Sequence, residues 1–162
     1  MKRQLQNSNP VELSWNNDIA VKLSQDIQSH DVFDFILDEC KRADKLIIGS
    51  FAMNEAYVRR IIRNRERISS LEVFLDLTVA DRSPSNTIYI SENVDALYLT
   101  SNHSKFIYCR GEKQMLAVMS NNATNNHRFE LQVFIREKGL IADFLQQYEI
   151  MKAESLRYGA DQ

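Results

Sequence analysis

The sequence predicts a single layered α/β (or α+β) domain built on a mixed β-sheet. Three observations carry that expectation. "DKLIIGSF", residues 44–51, is a short continuous apolar run that follows a helical segment, as a central strand covered on both faces would. "SKFIYCR", "QMLAVMS" and "FELQVFI" are three consecutive strand-like runs joined by polar turns. Helical stretches precede the first strand, separate the early strands and close the chain, an order that calls for helices layered on a sheet.

Taken in order, residues 1–10 are polar and expected to be loosely held, as are residues 157–162. "VELSW" reads as a short strand. "NNDIAVKLSQDIQSH" and "DVFDFILDECKRA" both read as helical, the second capped by Asp31. After the strand at 44–51, "MNEAYVRRIIRNRER" opens with Asn54 as N-cap and places Val58, Ile61 and Ile62 on one helical face. "LEVFLDLTVA" is expected to be strand throughout. Pro84 marks a loop, "TIYI" fits either a strand or a helical turn, and "DALYLTS" reads as a strand. "GLIADFLQQYEIMKAESL" is the final helix, with Leu140, Phe144, Leu145 and Tyr148 on its buried face. No internal repeat or linker divides the chain, so residues 1–162 are read as one domain.

Composition narrows the function classes. The 162 residues are 44% hydrophobic and 26% charged, which is globular and sufficient for a core. A net charge of −2 argues against a generally basic nucleic-acid binder but leaves room for a local basic patch. Cys40 and Cys109 are far apart in sequence with no CxxC pair, so a zinc site and a disulfide framework are not expected and buried thiols are. The start lacks an apolar signal core, and no run approaches the ~18 apolar residues of a membrane span, so a cytoplasmic protein is expected.

"HSKFIYCRGEKQMLAVMSNNAT", residues 103–124, holds the chemistry-bearing residues. His103 and Lys105 are two apart, so on a strand they share a face. Ser120 and Asn122 close the second arm of the hairpin, and Glu130 opens the strand after it. These polar side chains are expected to converge at neighbouring strand ends, where open α/β sheets bind ligands. Each alone fits a solvated strand or turn residue; the combination points to an anion site.

The combination resembles the phospholipase D superfamily, whose signature is His-x-Lys-x-x-x-x-Asp followed, a hairpin later, by Gly-Ser-x-Asn. His103-Ser104-Lys105 matches the first element and Met119-Ser120-Asn121-Asn122 the last, with Met119 in the glycine's place. Glu130 matches a glutamate that opens the next strand, and the resemblance runs over residues 30–150. Arg110 stands where the family has its aspartate, and the "RGEKQ" hairpin is slightly long. Either Glu112 supplies a carboxylate instead, or the site has decayed.

The resemblance implies a phospholipase D-like mixed sheet with helices on both faces. It implies a phosphodiesterase, most plainly a nuclease, that needs neither metal nor other cofactor. His103 would act as nucleophile or general acid, Lys105 and Asn122 would hold phosphate oxygens, Ser120 would assist, and Glu130 would orient His103. The family's two-motif enzymes do not fit in a chain of this length, and His30 and His127 lack the His-x-Lys spacing. One motif is half a site, so a C2 homodimer sharing its site is expected. The alternative is a catalytically impaired relative that binds nucleic acid or a protein.

Arg59, Arg63 and Arg67 at i, i+4 and i+8 form a basic stripe, either a grip on a nucleic-acid backbone or a solvated helix face. His127 and Arg128 are a further pair within reach of a substrate, or an exposed loop. Trp15 is expected to pack the amino-terminal segment against the core, or against a second copy.

Overall fold

The structure is a computed structural model that describes residues 8–124 and 128–159. Among them, nine strands form one sheet: β1 (Trp15–Asn16), β2 (Ile19–Ser24), β3 (Lys45–Gly49), β4 (Leu71–Asp76), β5 (Ala96–Thr100), β6 (Phe106–Arg110), β7 (Gln114–Met119), β8 (Glu130–Ile135) and β9 (Leu156–Arg157). Five helices accompany it: α1 (Ser29–Cys40), α2 (Glu55–Arg63), α3 (Leu77–Arg82), α4 (Pro84–Ser91) and α5 (Lys138–Ala153). The strand order is β1-β2-β8-β7-β6-β3-β4-β5-β9. β3, β4 and β5 are parallel, and the remaining pairings are antiparallel. The expected mixed α/β sheet with helices on both faces is therefore present.

The two faces are covered unequally. Leu46, Ile48, Val73, Leu75, Ile107 and Cys109 point into a large core shared with α1–α4. The alternate residues Ile47, Phe74, Tyr98, Phe106, Tyr108 and Leu116 meet Ile141 and Tyr148 of α5 in a smaller one. β3 is buried on both sides, which is why its sequence is apolar without alternation.

Several segments differ from the sequence expectation. "IAVKLS" is strand β2, not helix: Ile19, Val21 and Leu23 alternate and pair with Ile135, Val133 and Leu131 of β8. Helix α1 begins at Ser29. Its N-cap is Gln28, and Asp31 sits at N3, where its carboxylate accepts from the Gln28 N–H at 2.7 Å. Residues 77–82 leave the strand for α3 because Asp76 caps it, accepting from Thr78 N at 3.0 Å. "TIYI" lies in α4, which starts on Pro84. Ile62 and Leu140 are exposed rather than buried, and Ile141 takes the core position at the start of α5. Helix α5 stops at Ala153, and the chain then pairs β9 with β5.

Cys40 and Cys109, distant in sequence, meet in the core as free thiols. Cys40 Sγ lies 3.8 Å from the Cys109 carbonyl oxygen. Trp15 is half-buried against the larger core, with the Arg136 guanidinium 3.8 Å above its ring. No helix among the described residues is long and apolar enough to cross a membrane.

Candidate functional site

The carboxyl ends of β3, β4 and β5, the start of β6, the end of β7 and the start of β8 all lie at one edge of the sheet. His103, Lys105, Ser120, Asn122 and Glu130 are all at that edge. The topology thus gathers residues spread over 28 positions of sequence. His103 and Lys105 are not on the strand as expected, however. They occupy the loop between β5 and β6, and β6 begins at Phe106.

That loop is fixed by residues whose role the sequence does not announce. Asn102 is buried; its side-chain amide donates to the Ser50 carbonyl at 3.1 Å, and its Oδ1 accepts from Ser104 N at 2.9 Å and Ser104 Oγ at 2.5 Å. Its backbone N–H donates to Asp76 at 3.2 Å. The hydrogen bonds from the Thr78 hydroxyl, and then from the Thr78 and Asn102 amides, hold the Asp76 carboxyl below its usual range. Ser50 joins the other arm, donating to the Ala52 carbonyl at 2.7 Å and accepting from Ala123 N at 3.0 Å. The one sequence signal for this frame is the placement of polar Ser50, Asp76 and Asn102 just after apolar strands.

His103 is exposed, and its ring meets Phe51 edge-on at 5.7 Å between centroids. Lys105 is buried beneath it. Its Nζ donates to the His103 carbonyl at 2.6 Å and lies 3.2 Å from His103 Nδ1. Burial pushes the Lys105 ammonium below the ordinary lysine range, while the Glu130 carboxylate pulls the other way. An ammonium at Nδ1 makes that nitrogen the acceptor, so a neutral imidazole here carries its proton on Nε2.

Glu130 is buried at the start of β8 and accepts a hydrogen bond from Ser120 Oγ, which in turn accepts from Leu131 N at 3.0 Å. Ser120 therefore positions Glu130. Asn122 is half-buried, and its Oδ1 has no hydrogen-bond partner among the described residues. Asn121 is 1% exposed, and neither of its amide atoms is partnered among them. His127 lies outside the described residues, and Arg128 is exposed.

Of the two departures from the motif, Arg110 lies away from His103, whereas Met119 is at the site edge, its N–H donating to the Lys105 carbonyl at 2.8 Å. Arg110 is exposed at the other end of β6, about 15 Å along the strand from Lys105. Glu112 is exposed in the turn beyond it, so it cannot place a carboxylate beside His103. Met119 is buried at the end of β7.

The arginine stripe does not form as a helical stripe. Helix α2 starts at the site edge, where Asn54 N donates to the Ala123 carbonyl, and ends at Arg63. Arg59 is exposed and paired with Glu55 at 2.5 Å; Arg63 is exposed at the far end. Arg67 lies beyond the helix and is committed to the fold. Its guanidinium donates to Leu37 O and Asp38 at 2.9 Å and to Lys41 O at 3.2 Å. His30 is buried beside Asp31 at 3.4 Å. An open depression of about 570 Å³, lined by residues including Asn16, Ile19, Val21 and Glu137, lies at the opposite edge from His103.

No protein-family model and no curated protein matches the sequence. Solved structures do match. A phospholipase D family member, Nuc from Salmonella typhimurium, superposes with a TM-score of 0.64 at 16% identity, covering 86% of this chain and 97% of its own. NucT from Helicobacter pylori gives 0.67 at 12% identity, covering 85% and 97%. TrmBL2, an archaeal chromatin protein described with a novel mode of DNA binding, gives 0.56 at 10% identity, covering 86% of this chain and 54% of its own. The chain has the fold of the phospholipase D superfamily.

Proposed function

We propose that the chain is a phosphodiesterase, acting on nucleic acid, whose site is completed by a second copy of itself. The observation that carries this reading is the pairing of an exposed His103 with a buried lysine ammonium 3.2 Å from its Nδ1, at the sheet edge where Asn122 and Glu130 also lie. A phosphodiester is anionic, so attack on it favours a neutral nucleophile beside fixed positive charge.

In the resting arrangement each His103 is set to donate a proton from Nε2. On binding, phosphate oxygens draw the Lys105 ammonium and the Asn122 amide toward them. One ring then moves its proton to Nδ1, where Glu130 is the carboxylate to accept the hydrogen bond, and Nε2 is free to attack. A bond from Nε2 to phosphorus forms, and the bond from phosphorus to the leaving oxygen breaks. The His103 of the second copy gives its Nε2 proton to that oxygen. It then takes a proton from water, whose oxygen attacks phosphorus and releases the first ring. The proton and the electron pairs balance over the cycle, and no cofactor enters it.

A nucleic-acid substrate is supported by Arg59 and Arg63, exposed on α2, which starts at the site edge, and by the DNA binding described for TrmBL2. The second reading, a binding protein without catalysis, is favoured by Arg110 and Met119 in place of the motif aspartate and glycine. The test is cleavage of an oligonucleotide in EDTA by wild type and His103→Ala. Cleavage lost in the variant supports the enzyme. A salt-dependent mobility shift without cleavage supports the binding protein, and the absence of both cleavage and binding removes nucleic acid from the account.

A further inference from the structure

Phe51 is a large apolar residue that belongs to neither of the two cores. It is half-buried in the loop between β3 and α2, and its one aromatic partner among the described residues is the exposed His103 ring. The two rings stand 5.7 Å apart between centroids, with their planes at 60°. Core packing therefore does not account for a phenyl ring at this position. The backbone on either side of that contact is fixed. Ser50, just before Phe51, donates to the Ala52 carbonyl at 2.7 Å. The Phe51 carbonyl accepts from Asp76 N at 3.2 Å. The Asp76 carboxylate accepts from the N–H of Asn102, the residue before His103, at 3.2 Å. A closed circuit results: Phe51, Asp76, Asn102, His103, and back to Phe51 through the two rings. Its links join the exits of β3, β4 and β5, so neighbouring strands of the sheet set where the two rings meet.

We propose that Phe51 is a positioning residue for His103, holding the plane of the imidazole while Lys105 and the ring proton move. The consequence for catalysis rests on the phosphodiesterase reading. In the resting arrangement the ring has a second restraint, Lys105 Nζ at 3.2 Å from Nδ1. Lys105 gives up that contact when its ammonium turns to a phosphate oxygen. At that moment Nε2 has to keep its line to phosphorus. An edge-to-face contact between flat rings depends on the ring planes and not on which nitrogen carries the proton. Phe51 thus restrains the imidazole through the step in which the polar restraint is lost. It acts through His103, while Lys105 and Asn122 hold the phosphate. Its removal is expected to cost orientation in the reacting complex and to leave substrate binding in place.

Two measurements on the full chain test this: NMR of the His103 ring without substrate, and steady-state cleavage of an oligonucleotide in EDTA. The His103 signals are assigned by their absence in His103→Ala. In wild type the ring protons are expected to carry the ring-current shift of a neighbouring phenyl, with couplings that report one side-chain rotamer. In Phe51→Leu the couplings are expected to average over rotamers. The kcat of that variant is expected to fall about tenfold or more, with KM held within about twofold. Phe51→Tyr keeps the ring and is expected to return kcat to within about threefold of wild type. Phe51→Met gives the same reading if Phe51→Leu does not fold. A wild-type ring without the shift, or a folded ring-less variant that keeps a single rotamer, overturns the proposal. So does a variant that cleaves with wild-type kcat or whose loss lies in KM alone. If the NMR signals behave as expected but wild type never cleaves, the positioning of the ring stands and the phosphodiesterase reading falls.

Discussion

At Lys105, stability and function pull against each other. An ammonium held under the His103 loop is desolvated, so the folded chain binds its proton less tightly than the unfolded chain does. The sign follows from linkage: a lysine pKa depressed by folding makes the charged group a cost at neutral pH. That cost falls away as pH rises from the folded value to the ordinary one, and stability gains with it. Lys105→Met is therefore expected to hold or raise the urea midpoint at pH 7 while removing oligonucleotide cleavage. A lowered midpoint would show that the ammonium supports the fold. For the same reason kcat/KM is expected to fall on an alkaline limb below 10.5, the ordinary lysine value. Lys105→Arg, if active, moves that limb upward. The frame around His103 gives a second prediction. Asn102→Ala removes the bonds to Ser50 O and Ser104, so it is expected to cost about 1–3 kcal/mol in denaturant unfolding and to lower kcat. Asp76 has a depressed pKa, so its support of the same loop is present above the unfolded carboxylate value and lost as pH falls through the folded one.

At the scale of elements, what was legible depended on how one-sided the local signal was. β3 and the bodies of β6, β7 and β8 are legible because their apolar runs admit one arrangement, although β6 starts only at Phe106, after His103 and Lys105. α2 is too, because Asn54 caps it with its own side chain. β2 was missed because Ile19, Leu23 and Ile27 also fit a helical repeat, and only pairing with β8 decides between the two periods. The strand at 71–76 ended early because Asp76 starts a helix, an effect of one hydrogen-bonded side chain that periodicity does not register. Of the site, all five motif residues were readable as types and were brought to one edge. Asn102, Ser50 and Asp76 were not, because their work is to join loops distant in sequence. The arginines show the converse: a helical spacing continued on paper past Asn64, where the helix stops. Arg67→Ala is expected to destabilise by about 1–2 kcal/mol through the lost bonds to Leu37 O and Lys41 O, and Arg59→Ala to leave the thermal midpoint unmoved. Gly49→Ala would place a Cβ 2.2 Å from the Phe106 ring beside the site, and is expected to cost about 1–3 kcal/mol by overpacking.

For the whole molecule, the two sheet faces are covered unequally, and the chain carries a single His103 motif. The α1–α4 face supplies the larger core, and under the proposed mechanism a second copy of the chain brings the other half of the site. Remote Arg110 then bears on the far end of β6 rather than on the reacting atoms. The most direct measurement mixes wild type with His103→Ala in varying proportion, allows subunits to exchange, and follows oligonucleotide cleavage in EDTA. The variant alone should be slower by about 10³-fold or more. A site that needs both copies of His103 predicts that activity falls as the square of the wild-type fraction, because mixed dimers are inactive. A linear fall, or wild type that does not cleave in EDTA at all, would contradict the account.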